Sequence, residues 1–143
     1  MKPAHIPLRL ATGAFILNSG IGKRRLPPEA AAGLHGMAAA AIPQVKTMDP
    51  SAFGKTLSTA EIALGAALLA PFVPSALAGA ALTAFGAAML TMYLRTPGLH
   101  EPGSIRPTQA GTAVAKDVWM VGAGLSLLID GVTPSRDDSQ AEQ

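Results

Sequence analysis

Apolar residues in this chain are pooled into four long blocks. They read "PLRLATGAFILNSGIG" (7–22), "KTLSTAEIALGAALLAPF" (55–72), "PSALAGAALTAFGAAMLTMYL" (74–94) and a stretch over 110–129 that contains "TAVAKDVWMVGAGLSLLI". A surface helix of a soluble protein spaces its apolar residues three and four apart, whereas blocks that are apolar all round belong in hydrocarbon. Hydrophobic residues are 49% of the 143-residue chain against 14% charged, and the mean hydropathy of +0.34 is modest because Ala and Gly fill the blocks. Small residues suit helices that pack closely on one another in lipid. The length fits one compact domain and leaves little room for a separate catalytic one.

These features define an all-α fold: an integral membrane four-helix bundle over residues 1–132, followed by a polar, disordered tail at 133–143. A cleaved signal peptide competes for the first block, but the basic run Lys23–Arg24–Arg25 follows it at once and better anchors a helix end. Between the first two spans, the apolar part of 27–51 is short and bounded by prolines. It is expected to form an interfacial or re-entrant helix at about 29–43. The turn "PFVP" is so short that the spans on either side of it must form an antiparallel hairpin.

Charge sets the orientation. The loops 23–55 and 95–112 carry most of the Lys and Arg, which places both on the cytoplasmic side and both termini outside. The net charge of +2 thus reflects topology; the basic residues form no polar face with interleaved aromatics, so no nucleic-acid partner is expected. The partners are the lipid bilayer and another membrane protein. Absence of cysteine excludes disulfides, thiolate metal sites and cysteine-linked haem in this chain. No histidine pair has ligand spacing, so no metal is assigned.

Several blocks barely reach the ~20 residues of a span, so charged groups at their ends lie within or near the hydrocarbon. Lys23, Glu61, Lys116 and Asp117 fall at one level near the cytoplasmic face. Adjacent residues on a helix point ~100° apart, so Lys116 and Asp117 must each find a partner on another helix. Glu61 with Lys116 and Lys23 with Asp117 are the expected pairs. The cluster is read either as an ion-pair network that holds the helices in register, which is favoured, or as a pocket for a quinone head group or small anion. At the opposite face, Arg9 and Asp130 either pair or snorkel to the headgroups. Asn18 and Ser19 are read as a bond to a ligand or, by preference, across helices. Two small-residue rows, Ala80, Ala84 and Ala88, and Gly122 with Ser126, are assigned to internal packing in preference to a partner face. Trp119 and Tyr93 sit where rings anchor at the interface.

The order "GAFILNSGIGKRRL", "STAEIALGAALLAPFVP" and "AKDVWMVGAGLSLL" resembles the DoxX-like family of small four-helix membrane proteins. The matching positions are Gly20 and Lys23, Glu61 with Gly65, and Lys116 with Asp117. Some members are small subunits of a thiosulfate:quinone oxidoreductase, and others associate with redox or detoxifying enzymes. The resemblance implies a protein of the bacterial cytoplasmic membrane that holds no cofactor of its own and serves as a non-catalytic accessory subunit of a larger complex. The alternative it implies is the quinone-facing membrane subunit of an oxidoreductase. A channel is disfavoured because four short helices leave little room for a lumen.

Overall fold

A computed structural model of the chain describes residues 2–133, so the tail assigned to 133–143 lies, beyond Thr133, outside the described residues. Among those residues the structure is helical and has no strand. After a single 3-10 turn at Pro3–His5 come α1 (Ile6–Lys23), α2 (Pro28–Ala41), a second 3-10 turn (Pro43–Thr47), α3 (Pro50–Leu69), α4 (Ser75–Arg95), the one-turn α5 (Thr112–Ala115) and α6 (Val118–Val132).

The helix boundaries follow local chemistry. α3 starts five residues before the expected 55 because Asp49 caps it, its carboxylate accepting from the Ala52 amide at 2.9 Å, with Pro50 in the first turn. Pro28 opens α2 and Pro43 closes it. The fourth block is not one continuous helix over 110–129. It runs from 112 to 132 and tightens at Lys116–Asp117, where Asp117 N reaches back to Val114 O at 3.0 Å and Trp119 N to Lys116 O at 3.2 Å. These are three-residue steps in place of four.

Two antiparallel helix pairs build the core. α1 packs on α3 and α4 packs on α6, each through glycines. A Cβ on Gly65 would lie 2.6 Å from Leu17 N, and one on Gly20 would lie 2.8 Å from Ile62 N. In the second pair, Gly79 meets Leu128 N at 2.5 Å and Gly124 meets Thr83 N at 2.6 Å by the same construction. Backbones this close exclude any side chain larger than hydrogen. Ile16, Leu64, Leu68, Ala78, Leu82, Met120, Ala123 and Leu127 then bury a shared core between the pairs. The rows assigned to internal packing are not the ones used: Ala80, Ala84, Gly122 and Ser126 are exposed, and Ala88 is half-buried. Their neighbours Gly79, Gly86, Gly124 and Gly131 make the contacts instead.

Two stretches, 75–95 and 112–132, each of 21 residues, are long and apolar enough to cross a membrane. Only 33% and 17% of their apolar windows are buried, so most of that surface faces outward. α1 and α3 have the length for a span but not the average apolarity, because Arg9, Asn18 and Lys23 interrupt one and Lys55, Glu61 and several hydroxyls the other. α2 does more than lie beside the bundle. Its Ala31, Ala38, Ala39 and Ala41 are buried, and it packs on α3 and α4 across the end of the molecule that carries Lys23.

Candidate functional site

At the Lys23 end a half-open cavity of about 240 Å³ lies between the two helix pairs. Lys23 comes from the last turn of α1, Glu61 from the middle of α3, and Lys116 and Asp117 from the break between α5 and α6. All four line this cavity, together with Ser19 and an apolar floor that includes Phe15, Phe85, Met89 and Met120.

Their pairing differs from the expected one. Lys23 Nζ donates to Glu61 Oε2 at 2.9 Å and to Ser19 Oγ at 2.6 Å. Glu61, 4% exposed, is therefore held by α1 and not by α6. The reason is the glycine contact: Gly20 brings α1 against Ile62, which places Lys23 within reach of the Glu61 carboxylate before any group on α6 is. Just above, the buried Ser58 hydroxyl donates to Gly20 O at 2.7 Å and fixes the same register.

Lys116 and Asp117 have no such partner. Among the described residues neither side chain makes a hydrogen bond or ion pair; Lys116 Nζ lies over the face of Phe15, 5.9 Å from the ring centroid. Phe15 in turn meets Trp119 edge-on, with centroids 6.0 Å apart. The network expected to tie all four spans together thus ties only α1 to α3. One side of the cavity presents a satisfied ion pair, and the other an ammonium and a carboxylate with unused donors and acceptors. Asn18 takes no part, being exposed on the outer face of α1.

The opposite end holds a second polar network. Arg9 and Asp130 do not pair. Arg9, 1% exposed, spends all five guanidinium N–H groups inside the protein. Nε donates to Leu68 O (2.7 Å), Nη1 to Val73 O (2.9 Å) and Ser75 Oγ (3.2 Å), and Nη2 to Ala67 O (2.9 Å) and Ala70 O (2.8 Å). The carbonyls of Ala67, Leu68 and Val73 are ones that the end of α3 and the following turn would otherwise leave unpaired, Ala70 O accepts from Val73 N as well, and a cation there also complements the helix dipole. Asp130 is instead bonded by Lys2 Nζ at 3.0 Å and by His5 Nε2, while His5 Nδ1 meets Ser75 Oγ at 2.8 Å. Sequence reasoning offered only Arg9 as a partner for Asp130 and missed the role of His5. The available signal was an opposite charge at each end of the chain, Lys2 and Asp130, brought together by the up-and-down topology.

Trp119 and Tyr93 also separate: Trp119 is 38% exposed at the start of α6, whereas Tyr93 is buried and its hydroxyl donates to Ile105 O at 2.7 Å. Comparison with family models, with curated proteins and with solved structures finds no match to this chain.

Proposed function

We propose that the chain is a four-span integral membrane protein of DoxX-like type, whose cavity holds the ring head group of a quinone-like amphiphile for a redox partner. Four spans are supported by where the polar groups of α1 and α3 lie. Hydropathy counts Arg9, Lys23 and Glu61 against these helices, yet Arg9 and Glu61 are buried, and each of the three is hydrogen-bonded within the protein. The exposed hydroxyls of Thr56 and Thr59 return to the carbonyls of Ala52 and Lys55 at 2.9 Å each, which removes most of their cost in lipid. Ile6, Leu10 and Ile21 remain on the outer face of α1. In the orientation set by charge, loops 23–55 and 95–112 face the cytoplasm of a bacterial cell and both termini face outward.

One observation carries the ligand reading: Lys116 and Asp117 line an otherwise largely apolar cavity without a protein partner. An ionisable group within a membrane segment is costly and marks a functional site by default, and here the side chains of Lys116, exposed, and Asp117, half-buried, are open to a ligand. A quinone ring presents carbonyl oxygens when oxidised and hydroxyls when reduced. The Lys116 ammonium would donate to the first and the Asp117 carboxylate would accept from the second, so either form finds a complement. With no cysteine to hold a redox centre, electrons would reach the ligand through a partner chain.

Purification from native membranes in a mild detergent, with mass spectrometry of proteins and extracted lipids, tests the proposal. Enriched quinone with an oxidoreductase partner is expected. A stoichiometric partner without quinone would overturn the ligand reading in favour of an accessory subunit, the reading favoured by the outward-facing Ala80, Ala84, Gly122 and Ser126.

A further inference from the structure

The cavity of about 240 Å³ is smaller than the roughly 300–1,000 Å³ of sites that bury a whole small ligand. It has room for a ring, so the tail of an amphiphile seated there must leave through the open side. The four long helices pack in order around the bundle, α1 on α3, α3 on α4 and α4 on α6. The remaining seam, between α1 and α6, is the loose one. The close glycine contacts join α1 to α3 and α4 to α6, and none of them joins α1 to α6. Its two ends are closed differently. At the outer end Lys2 Nζ and His5 Nε2 both bond Asp130. At the cavity end the closing contacts are aromatic: Phe15 meets Trp119 edge-on and lies under the Lys116 ammonium.

Phe15 lines the cavity and is nevertheless 50% exposed, so it stands at the mouth. Eight residues before Lys23 on α1, it lies about 12 Å deeper at 1.5 Å per residue, within the hydrocarbon of a four-span protein. The water side is covered instead, since α2 packs on α3 and α4 across that end and its Leu34 contributes to the cavity lining. Resting on the head-group reading, we infer that the cavity opens sideways into the bilayer through the seam between α1 and α6, and that the apolar tail of its lipid-soluble ligand lies in that seam. Two turns from the mouth, on the same helix faces, stand Leu8, seven residues before Phe15, and Ser126, seven after Trp119. Leu8 is half-buried and Ser126 exposed, so the tail runs between an aliphatic side chain and a small one toward the Asp130 clasp. A tail-less, water-soluble ligand forgoes these contacts.

Photolabelling locates the tail. The protein in lipid vesicles is irradiated with a decyl benzoquinone that carries a diazirine on its tail, with and without an excess of the untagged decyl quinone, and the adducts are mapped by mass spectrometry. The expected result is labelling of α1 between Leu8 and Phe15 and of α6 between Trp119 and Ser126 that is lost when the untagged quinone is in excess. Competed adducts anywhere but this seam, such as α2 or residues 96–111, would overturn the inference and leave the ring site standing. If the excess removed no adduct at all, there would be no saturable site, and the head-group reading would fall together with the inference.

Discussion

Replacing Arg9 by lysine keeps the charge and removes the fork. The guanidinium serves five acceptors, namely the carbonyls of Ala67, Leu68, Ala70 and Val73 and the Ser75 hydroxyl. An ammonium has three donors, so at least two acceptors in a site that is 1% exposed lose their bond. At ~1 kcal/mol for each lost bond, Arg9→Lys should cost about 2 kcal/mol, and Arg9→Met, which removes all five bonds and leaves the carbonyls of Ala67, Leu68 and Val73 without a donor, about 5 kcal/mol. The second figure matches the whole stability of a marginal domain, ~5–15 kcal/mol, so Arg9→Met should fail to accumulate in membranes. For Arg9→Lys the expected fall in melting temperature is roughly 4–8 °C, from ~2–4 °C per kcal/mol. Circular dichroism of the purified protein in detergent, heated through the transition, measures it. If Arg9→Lys melted within about 1 °C of the wild type, the carbonyls would not depend on the guanidinium, and the assignment of Arg9 as the clamp on α3 would fail.

Glycine placement gives a paired test: Gly124→Ala should destabilise because its methyl would lie 2.6 Å from Thr83 N, whereas Gly122→Ala meets nothing within 4 Å and should be neutral or stabilising by up to ~1 kcal/mol. Equal melting temperatures would refute the close α4–α6 approach. Glu61→Gln should cost ~3 kcal/mol by leaving the largely buried Lys23 ammonium without its counter-charge, and an unchanged melting curve would show that the pair is dispensable. Topology can be read with single cysteines, because the chain has none. A membrane-impermeant thiol reagent added to intact cells should label Phe72→Cys in the exposed 70–74 turn but not Gln109→Cys, and the reverse would invert the orientation.

The helical order was legible because apolar blocks and prolines mark it directly, but the hairpin read from "PFVP" is not where the close packing lies, since α3 pairs with α1 and α4 with α6. Side-chain pairing was less legible. Depth along a helix can be counted from sequence, and it set Lys23, Glu61, Lys116 and Asp117 at one level. Rotation about the helix cannot be counted in the same way, and rotation decides which group faces which. Gly13, Gly20 and Gly65 draw α1 onto α3, so Lys23 claims Glu61 and leaves the α6 charges free. The same blindness reversed the small-residue rows: Gly79 and Gly124 face inward, so Ala80 and Gly122, one or two positions away, face out. Arg9 was hard to place for another reason. Its partners are backbone carbonyls at a helix end 58 to 64 residues away, which no charge pattern encodes.

The most direct test of the cavity as a head-group site uses the Trp119 ring, which packs edge-on against cavity-lining Phe15. Purified protein is titrated with a short-tailed quinone while Trp119 fluorescence is followed, in the wild type and in a Lys116→Met/Asp117→Asn double variant. Saturable quenching in the wild type that becomes weak and non-saturating in the double variant is the expected result. Linear, non-saturating quenching that is identical in the two proteins would mean that the quinone only partitions into detergent, and would contradict a binding site in this cavity.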